Sequence, residues 1–220
     1  MPDLQRYFAV GLPSCEVPPF TGGRFDRLSG GGDHAKVRDV ITADDLIAVE
    51  MLNVQVPPPV SLALLEGSLG RAISAALSTI PTDVCLGDDG AGQHVADDSP
   101  ADKAWHLLKE CDGVGWVTAG KLLARKRPRV IPVYDEIVSC AYGTSTGFWP
   151  WLDCKLREQG GVLAHRLAEL RDEAGLSDEI SALRILDVVI WMRHRAGHAG
   201  HGCTGVGDDD TSGPTGDVHE

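Results

Sequence analysis

The chain has 220 residues, of which 43% are hydrophobic, and a formal net charge of -12. This length suits one compact domain or two small ones and is sufficient to bury a core. No apolar run approaches the roughly 18 to 20 residues that cross a bilayer, and the first residues lack the basic and apolar segments of a secretory signal. We therefore expect a cytoplasmic protein with no membrane partner.

The cysteine and histidine patterns do not predict a metal site. The six cysteines stand far apart, without a CxxC or another close pair, which argues against a zinc knuckle, an iron–sulfur cluster or a disulfide framework. We predict reduced, mostly buried thiols and no cofactor. His194, His198 and His201 resemble a metal-binding tract only superficially, and we expect a frayed helix end there.

The charge is unevenly distributed along the chain. Residues 202–220 hold five acidic side chains and no Lys or Arg, so we predict a disordered acidic tail over residues 199–220. Residues 104–171 instead hold ten Lys or Arg against seven Asp or Glu, a net of +3. The middle of an acidic chain is thus locally basic, which is typical of a nucleic-acid contact.

The first half of the chain alternates between loop and helix signals. Residues 1–40 are rich in Gly and Pro, and we predict an irregular N-terminal segment that wraps over the surface or hangs free. Thr42 is the predicted N-cap of a helix that ends at the prolines at positions 57–59. A helical period then continues from residue 60 to Pro81.

The second half predicts a series of helices. Ser99, followed by Pro100, is a strong helix start, and a second helix follows the glycines near residue 113. Further helices fit residues 135–143, 151–159, 161–175 and 177–195, the last with Ser177 as its cap. Because there is no convincing alternating run of strand length, we predict an all-α fold, with one compact helical domain over residues 41–198.

A Gly-x-Gly turn, formed by Gly113, Val114 and Gly115, joins two of these helices. Glycines let such a turn approach a ligand closely, and the N–H groups that begin the next helix suit a phosphate. A run of five basic side chains follows: Lys121, Arg125, Lys126, Arg127 and Arg129. We predict that this region contacts the DNA backbone. Taken singly, the simpler interpretations are an ordinary helix connection and a solvated helix face.

Residues 108–143 resemble the helix-hairpin-helix and catalytic-aspartate segment of the base-excision DNA glycosylase superfamily, the HhH-GPD-like enzymes. Asp135 falls at the position of the catalytic aspartate, and the hairpin matches at Gly113, Val114, Gly115, Thr118 and Ala119. The resemblance implies a hairpin over about residues 100–127 whose DNA contacts include Thr118. Trp116 in this hairpin either contacts the DNA minor groove or fills a packing gap. The chain is also similar to an uncharacterised actinobacterial family.

The resemblance departs from the family pattern at one informative position. Val117 stands where bifunctional members carry a Schiff-base lysine, so the resemblance implies hydrolysis without a lyase step, although Lys121 lies one helical turn further on. Asp135 follows an apolar stretch, and a fixed carboxylate can stabilise a sugar cation or activate water. The simpler interpretation, that Asp135 caps the next helix, is compatible with catalysis.

The roles of four other residues allow more than one interpretation. Asp187 is either a partnered structural carboxylate or a second site residue. For Phe148, Trp149 and Trp151 we favour core packing over stacking on an extruded base.

We predict a monomeric, monofunctional DNA glycosylase that acts on double-stranded DNA with an extruded modified or damaged base and leaves an abasic site. Repair of oxidised or alkylated bases is one role. Anti-phage excision of modified cytosines, such as glucosylated hydroxymethylcytosine, is the other. The alternatives are a non-catalytic helix-hairpin-helix DNA-binding protein and a helical domain that binds a small molecule or a protein partner.

Overall fold

The computed structural model describes residues 2–13, 16–143 and 147–200, and in this part of the chain all regular secondary structure is helical, without strands. The predicted all-α fold is therefore confirmed. The α-helices are α1 (Pro2–Tyr7), α2 (Ala43–Glu50), α3 (Pro58–Leu65), α4 (Ser68–Leu77), α5 (Pro100–Lys109), α6 (Trp116–Lys126), α7 (Glu136–Tyr142), α8 (Phe148–Glu173) and α9 (Ala182–Gly200). The predicted acidic tail, from residue 201 onward, lies outside the described residues.

Local capping sets the starts of two helices, as predicted. Thr42 begins α2 through a reciprocal capping box in which its backbone N–H donates to Asp45 Oδ2 at 2.9 Å. Ser99 begins α5 by accepting a hydrogen bond from the N–H of Asp102 at 3.2 Å, with Pro100 at the first helical position. These contacts span only three residues, which is why the sequence alone reveals them.

The limits of four helices, α3, α4, α8 and α9, differ from the prediction. The period from residue 60 to residue 80 is broken near Gly67 into α3 and α4. Helix α8 joins two predicted helices across a non-helical stretch at residues 158–161. Ser181, rather than Ser177, caps α9, because its hydroxyl accepts the N–H of Arg184 at 3.2 Å. The predicted cap at Ser177 is therefore wrong.

Several side chains of the N-terminal segment are buried in the core, so the alternative in which this segment hangs free is wrong. Leu4, Tyr7, Phe8 and Phe25 are all buried, and α1 packs against α9. Gly and Pro do break the regular structure between residues 8 and 40, but burial of these large side chains holds the segment in place.

Helices α6 and α9 provide the framework for the rest of the chain. Helix α9 packs against α1, α7 and α8, while α6 packs against α2 and α5. Every residue of α6 from Thr118 to Lys126 is buried. Side chains that project from α6, α7 and α9 can therefore meet inside the molecule.

No single helix among the described residues is long and apolar enough to span a membrane; α3 and α4 pass that test only as a pair bent by 61°. Four of the cysteines lie in the described part of the chain, and none of these four forms a disulfide. Cys85, Cys111 and Cys140 are half-buried, whereas Cys154 is exposed, so mostly buried thiols are not what the structure shows. Cys15 and Cys203 lie outside the described residues.

Candidate functional site

A cavity of about 610 Å³ lies where the N-terminal segment meets α6, α7 and α9. Its volume is within the range of about 300 to 1,000 Å³ that is typical of ligand sites. The residues that line it include Tyr7, Phe20, Lys121, Asp135, Asp187 and Trp191. Glu136, Arg184 and Arg195 also line it, so the cavity combines three aromatic rings with three carboxyl groups and three basic side chains.

Asp135 is held at the edge of this cavity by the start of α7. Its Oδ1 accepts hydrogen bonds from the N–H groups of Ile137 and Val138, both at 3.1 Å. Its Oδ2 lies 3.6 Å from Lys121 Nζ, and 17% of the side chain remains exposed. The prediction that Asp135 caps a helix is confirmed, and the same carboxylate faces a cavity.

Lys121 enters the cavity from α6. Only 5% of its side chain is exposed, and its ammonium donates to the carbonyl oxygen of Leu52 at 2.9 Å. Burial lowers the pKa of Lys121, while the charge of Asp135 acts in the opposite direction. Val117, one helical turn earlier, lines the same cavity. Lys121 thus faces Asp135 rather than a surface-bound phosphate, and its predicted contact with the DNA backbone is wrong.

A buried arginine organises the opposite wall. The guanidinium of Arg184 pairs with Asp187 and donates to Asp26 Oδ2 at 3.0 Å, to Tyr7 Oη at 2.8 Å and to the carbonyl oxygen of Gly22 at 2.9 Å. A Cβ atom at residue 22 would lie 2.1 Å from Tyr7 Oη, so the close approach requires glycine. Asp187 is therefore both a partnered carboxyl group and a residue of the cavity.

Burial raises the pKa of Asp187 to about 7 even though the charge of Arg184 opposes this shift. The nearby negative charge of Asp135 also raises the pKa of Asp187, whereas Lys121 lowers it. Desolvation of the charged form therefore outweighs the favourable cations. A carboxyl group in this range can hold or release a proton near neutral pH.

The shift predicts how Asp187 makes stability depend on pH. Its pKa is 3.8 without the protein environment and about 7 in the fold, so between these values the folded chain holds a proton that the unfolded chain has lost. The contribution of Asp187 to stability should therefore fall as pH rises from about 4 to about 7 and level off above that. Urea unfolding of the natural chain and of Asp187→Asn across this range should give a difference that declines with pH. A constant difference would contradict the shift.

The aromatic wall of the cavity is the part of the site that the sequence did not reveal. The rings of Tyr7 and Phe20 are stacked with centroids 5.4 Å apart, and Trp191 meets Phe20 edge-on at 5.9 Å. The guanidinium of Arg195 lies 4.7 Å from the Phe20 ring centroid and 5.0 Å from that of Trp191. The only signal for these rings in the sequence was that aromatic residues are scarce, at 5% of the chain. Because they are few, each one is a candidate for the core or for a site.

The predicted core role of the segment at residues 148–151 is confirmed for Phe148. That ring is buried and stacks on Tyr134 with centroids 3.8 Å apart. Trp149 and Trp151 are half-buried and pack against the same core. Tyr7, Phe20 and Trp191 line the cavity instead.

The two helices of the predicted hairpin are present. Helices α5 and α6 pack against each other, and the turn between them has Gly113 at a φ of +78° and an exposed Gly115 at the start of α6. Exposed Glu110 and Asp112 flank the turn and place negative charge where a phosphate would approach. DNA binding by this turn stays a prediction.

The remaining hairpin residues mainly serve packing. Val114 and Thr118 are buried. Trp116 is half-buried and its ring lies 5.5 Å from that of Tyr134. The carbonyl oxygen of Trp116 accepts a hydrogen bond from Trp105 Nε1 at 3.2 Å. These contacts leave the turn backbone as the accessible part of the motif.

Four of the five side chains in the basic run are buried, and Arg129 is half-buried. The predicted DNA contacts of Arg125 and Lys126 are therefore wrong. Arg125 Nε lies 3.2 Å from Asp45 Oδ1, and Lys126 Nζ lies 2.8 Å from Asp45 Oδ2. Arg127 donates to the carbonyl oxygen of Ile80 at 2.7 Å. Each cation finds an oxygen from a distant part of the chain, which makes its burial tolerable.

One protein-family model matches residues 1–194, which is most of the chain; it is described as a family of unknown function (DUF6308). No curated protein and no solved structure matches significantly.

Proposed function

The chain belongs to the DUF6308 family, and we propose that it is a monofunctional DNA glycosylase that acts in the cytoplasm as a monomer. It hydrolyses the N-glycosidic bond of a modified or damaged base that has rotated out of double-stranded DNA. The observation that carries this proposal is the position of Asp135. One oxygen is fixed by the N-terminus of α7, and the carboxylate lines a ligand-sized cavity beside Lys121 and Asp187.

Asp135 suits the chemistry of this bond. As the bond between the base nitrogen and C1′ breaks, the base leaves with the electron pair and positive charge develops on the sugar. A carboxylate held in place by two N–H groups stabilises that charge without having to reorganise. It can also accept a proton from the water whose oxygen forms the new bond to C1′. The products are the free base and an abasic site.

Lys121 and Asp187 complete the proposed mechanism. The buried ammonium of Lys121, 3.6 Å from Asp135 Oδ2, pairs with that carboxylate and helps to hold it in position. Asp187, whose pKa is raised to about 7, still holds a proton on a fraction of molecules at neutral pH. It is our candidate for donating a proton to the departing base.

The aromatic wall offers a binding surface for the extruded base. Tyr7, Phe20 and Trp191 line the cavity, and flat rings of this kind stack on nucleobases. Arg195 lies over two of these rings, and the guanidinium of Arg6 lies 5.6 Å from the Phe20 centroid. We assign the phosphate contact to these two arginines because the run in α6 is buried.

The proposal predicts release of free base from modified DNA. The full chain should be incubated with defined duplexes that carry oxidised, alkylated or glucosylated hydroxymethylated bases. Mass spectrometry should then detect the freed base, and alkali treatment should cut the strand at the abasic site. Release of an oxidised or alkylated base would indicate repair, whereas release of a glucosylated hydroxymethylcytosine would indicate anti-phage defence.

Two outcomes of that experiment would contradict the proposal. Duplex binding without base release would support the non-catalytic helix-hairpin-helix protein, and absence of salt-dependent DNA binding would support a small-molecule or partner-binding domain. Strand cleavage without alkali, together with borohydride trapping that Lys121→Met abolishes, would instead identify a lyase step. Arg195→Ala and Arg6→Ala should each weaken salt-dependent duplex binding, because these arginines carry the proposed phosphate contact.

A further inference from the structure

Cys140, His194 and His198 form a three-residue cluster outside the cavity. One ligand atom from each side chain, a cysteine sulfur and two histidine nitrogens, lies within 4.8 Å of the other two. Cys140 projects from α7, and the histidines lie four residues apart on α9. Two histidines at this spacing share one helix face. The contact between the two helices adds the sulfur from a distant part of the chain.

His198 supplies a second observation. Its Nδ1 atom is buried and has no hydrogen-bond partner among the described residues. A buried polar nitrogen without a partner carries a free-energy cost, and a bound ion is one of the explanations for it. The rings of His194 and His198 are 5.9 Å apart, close enough to bind one ion.

We propose that Cys140, His194 and His198 bind one Zn²⁺ ion. A thiolate with two imidazoles favours zinc over magnesium or calcium. In a tetrahedral zinc site, the ligand atoms lie roughly 3.4 to 3.6 Å apart. Side-chain rotations that move the ligand atoms by about 1 Å therefore bring all three to bonding distance of one Zn²⁺ ion. Water fills the fourth coordination position of the ion.

The ion would link α7, which follows Asp135, to α9, which carries Asp187. Cys140 is five residues beyond Asp135 in the same segment, and His194 is seven residues beyond Asp187 on α9. Residues seven apart share a helix face. Zinc at this position would therefore fix α7 against α9 and with it the positions of Asp135 and Asp187. The zinc site itself does not depend on the proposed glycosylase activity.

The test uses the full chain without a histidine affinity tag, after removal of metal with a chelator. Zinc titration against a chromophoric chelator should give one ion per chain, and zinc should raise the melting temperature. Cobalt substitution should produce the absorption band of a thiolate bound to Co²⁺. Cys140→Ser should remove that band, and both Cys140→Ser and His198→Asn should weaken zinc binding by about 100-fold or more, because even outer contacts of zinc sites contribute 10- to 100-fold.

Two matched variants act as controls. Cys154→Ser replaces an exposed cysteine of α8, and His165→Asn replaces an exposed histidine that pairs with Glu169. Both should bind zinc like the natural chain. Unchanged zinc affinity in Cys140→Ser would show that the histidine tract binds metal without this cluster and would overturn the proposal. If Cys140→Ser does not fold, absence of the thiolate band in the natural chain would overturn it as well.

Discussion

Asp135→Asn should lower the rate of base release by about 10²-fold or more, the loss expected for an acid–base group, while leaving the fold and the affinity for duplex DNA nearly unchanged. Asparagine has a side-chain oxygen and is also a good N-cap, so the bonds to Ile137 and Val138 can persist. What the substitution removes is the negative charge that the proposed mechanism places against the sugar. Single-turnover base release and equilibrium DNA binding measure the two effects separately.

Asp102→Asn is the matched control for this experiment. Asp102 lies in the first turn of α5, so the substitution removes the same charge at a similar helix position but away from the cavity. Its rate of base release should equal that of the natural chain. Full activity in Asp135→Asn would remove Asp135 from the mechanism. Equal losses in the two variants would indicate a general effect of charge.

Asp45→Ala should lower the free energy of unfolding by about 3 to 5 kcal/mol, the range for breaking a buried ion pair from one side. Asp45 has 1% of its side chain exposed and pairs with both Arg125 and Lys126. Its removal leaves two buried cations without their carboxylate and also breaks the capping box with Thr42. Urea unfolding, followed by circular dichroism, measures the change.

Asp44→Ala separates burial from simple loss of charge. Asp44 is the neighbouring residue in the same first turn of α2, but it is exposed, so its replacement should cost at most about 1 kcal/mol. A small cost for both variants would mean that Arg125 and Lys126 do not depend on Asp45. If those side chains were free for DNA, Asp45→Ala would instead raise the affinity for DNA.

Arg125 and Lys126 show why the sequence predicted a DNA contact that the structure contradicts. Five basic residues in an acidic chain are typical of a phosphate-binding surface, and no local feature distinguishes that case from an internal network. The distinction depends on Asp45, which is 80 residues from Arg125 in the chain. The predicted cap at Ser177 is a smaller error. Ser181, four residues later, is a second serine that can cap the same helix.

The sequence alone determined most of the helices, the caps at Thr42, Ser99 and Asp135, and the identity of the candidate carboxylate. Helical periods and caps depend on residues only three or four positions apart, so they can be recognised from the sequence alone. Only the tertiary structure decided that Lys121 faces Asp135 and that Asp187 lines the same cavity. Which side chains share a buried space depends on how distant helices pack, and no local pattern records it.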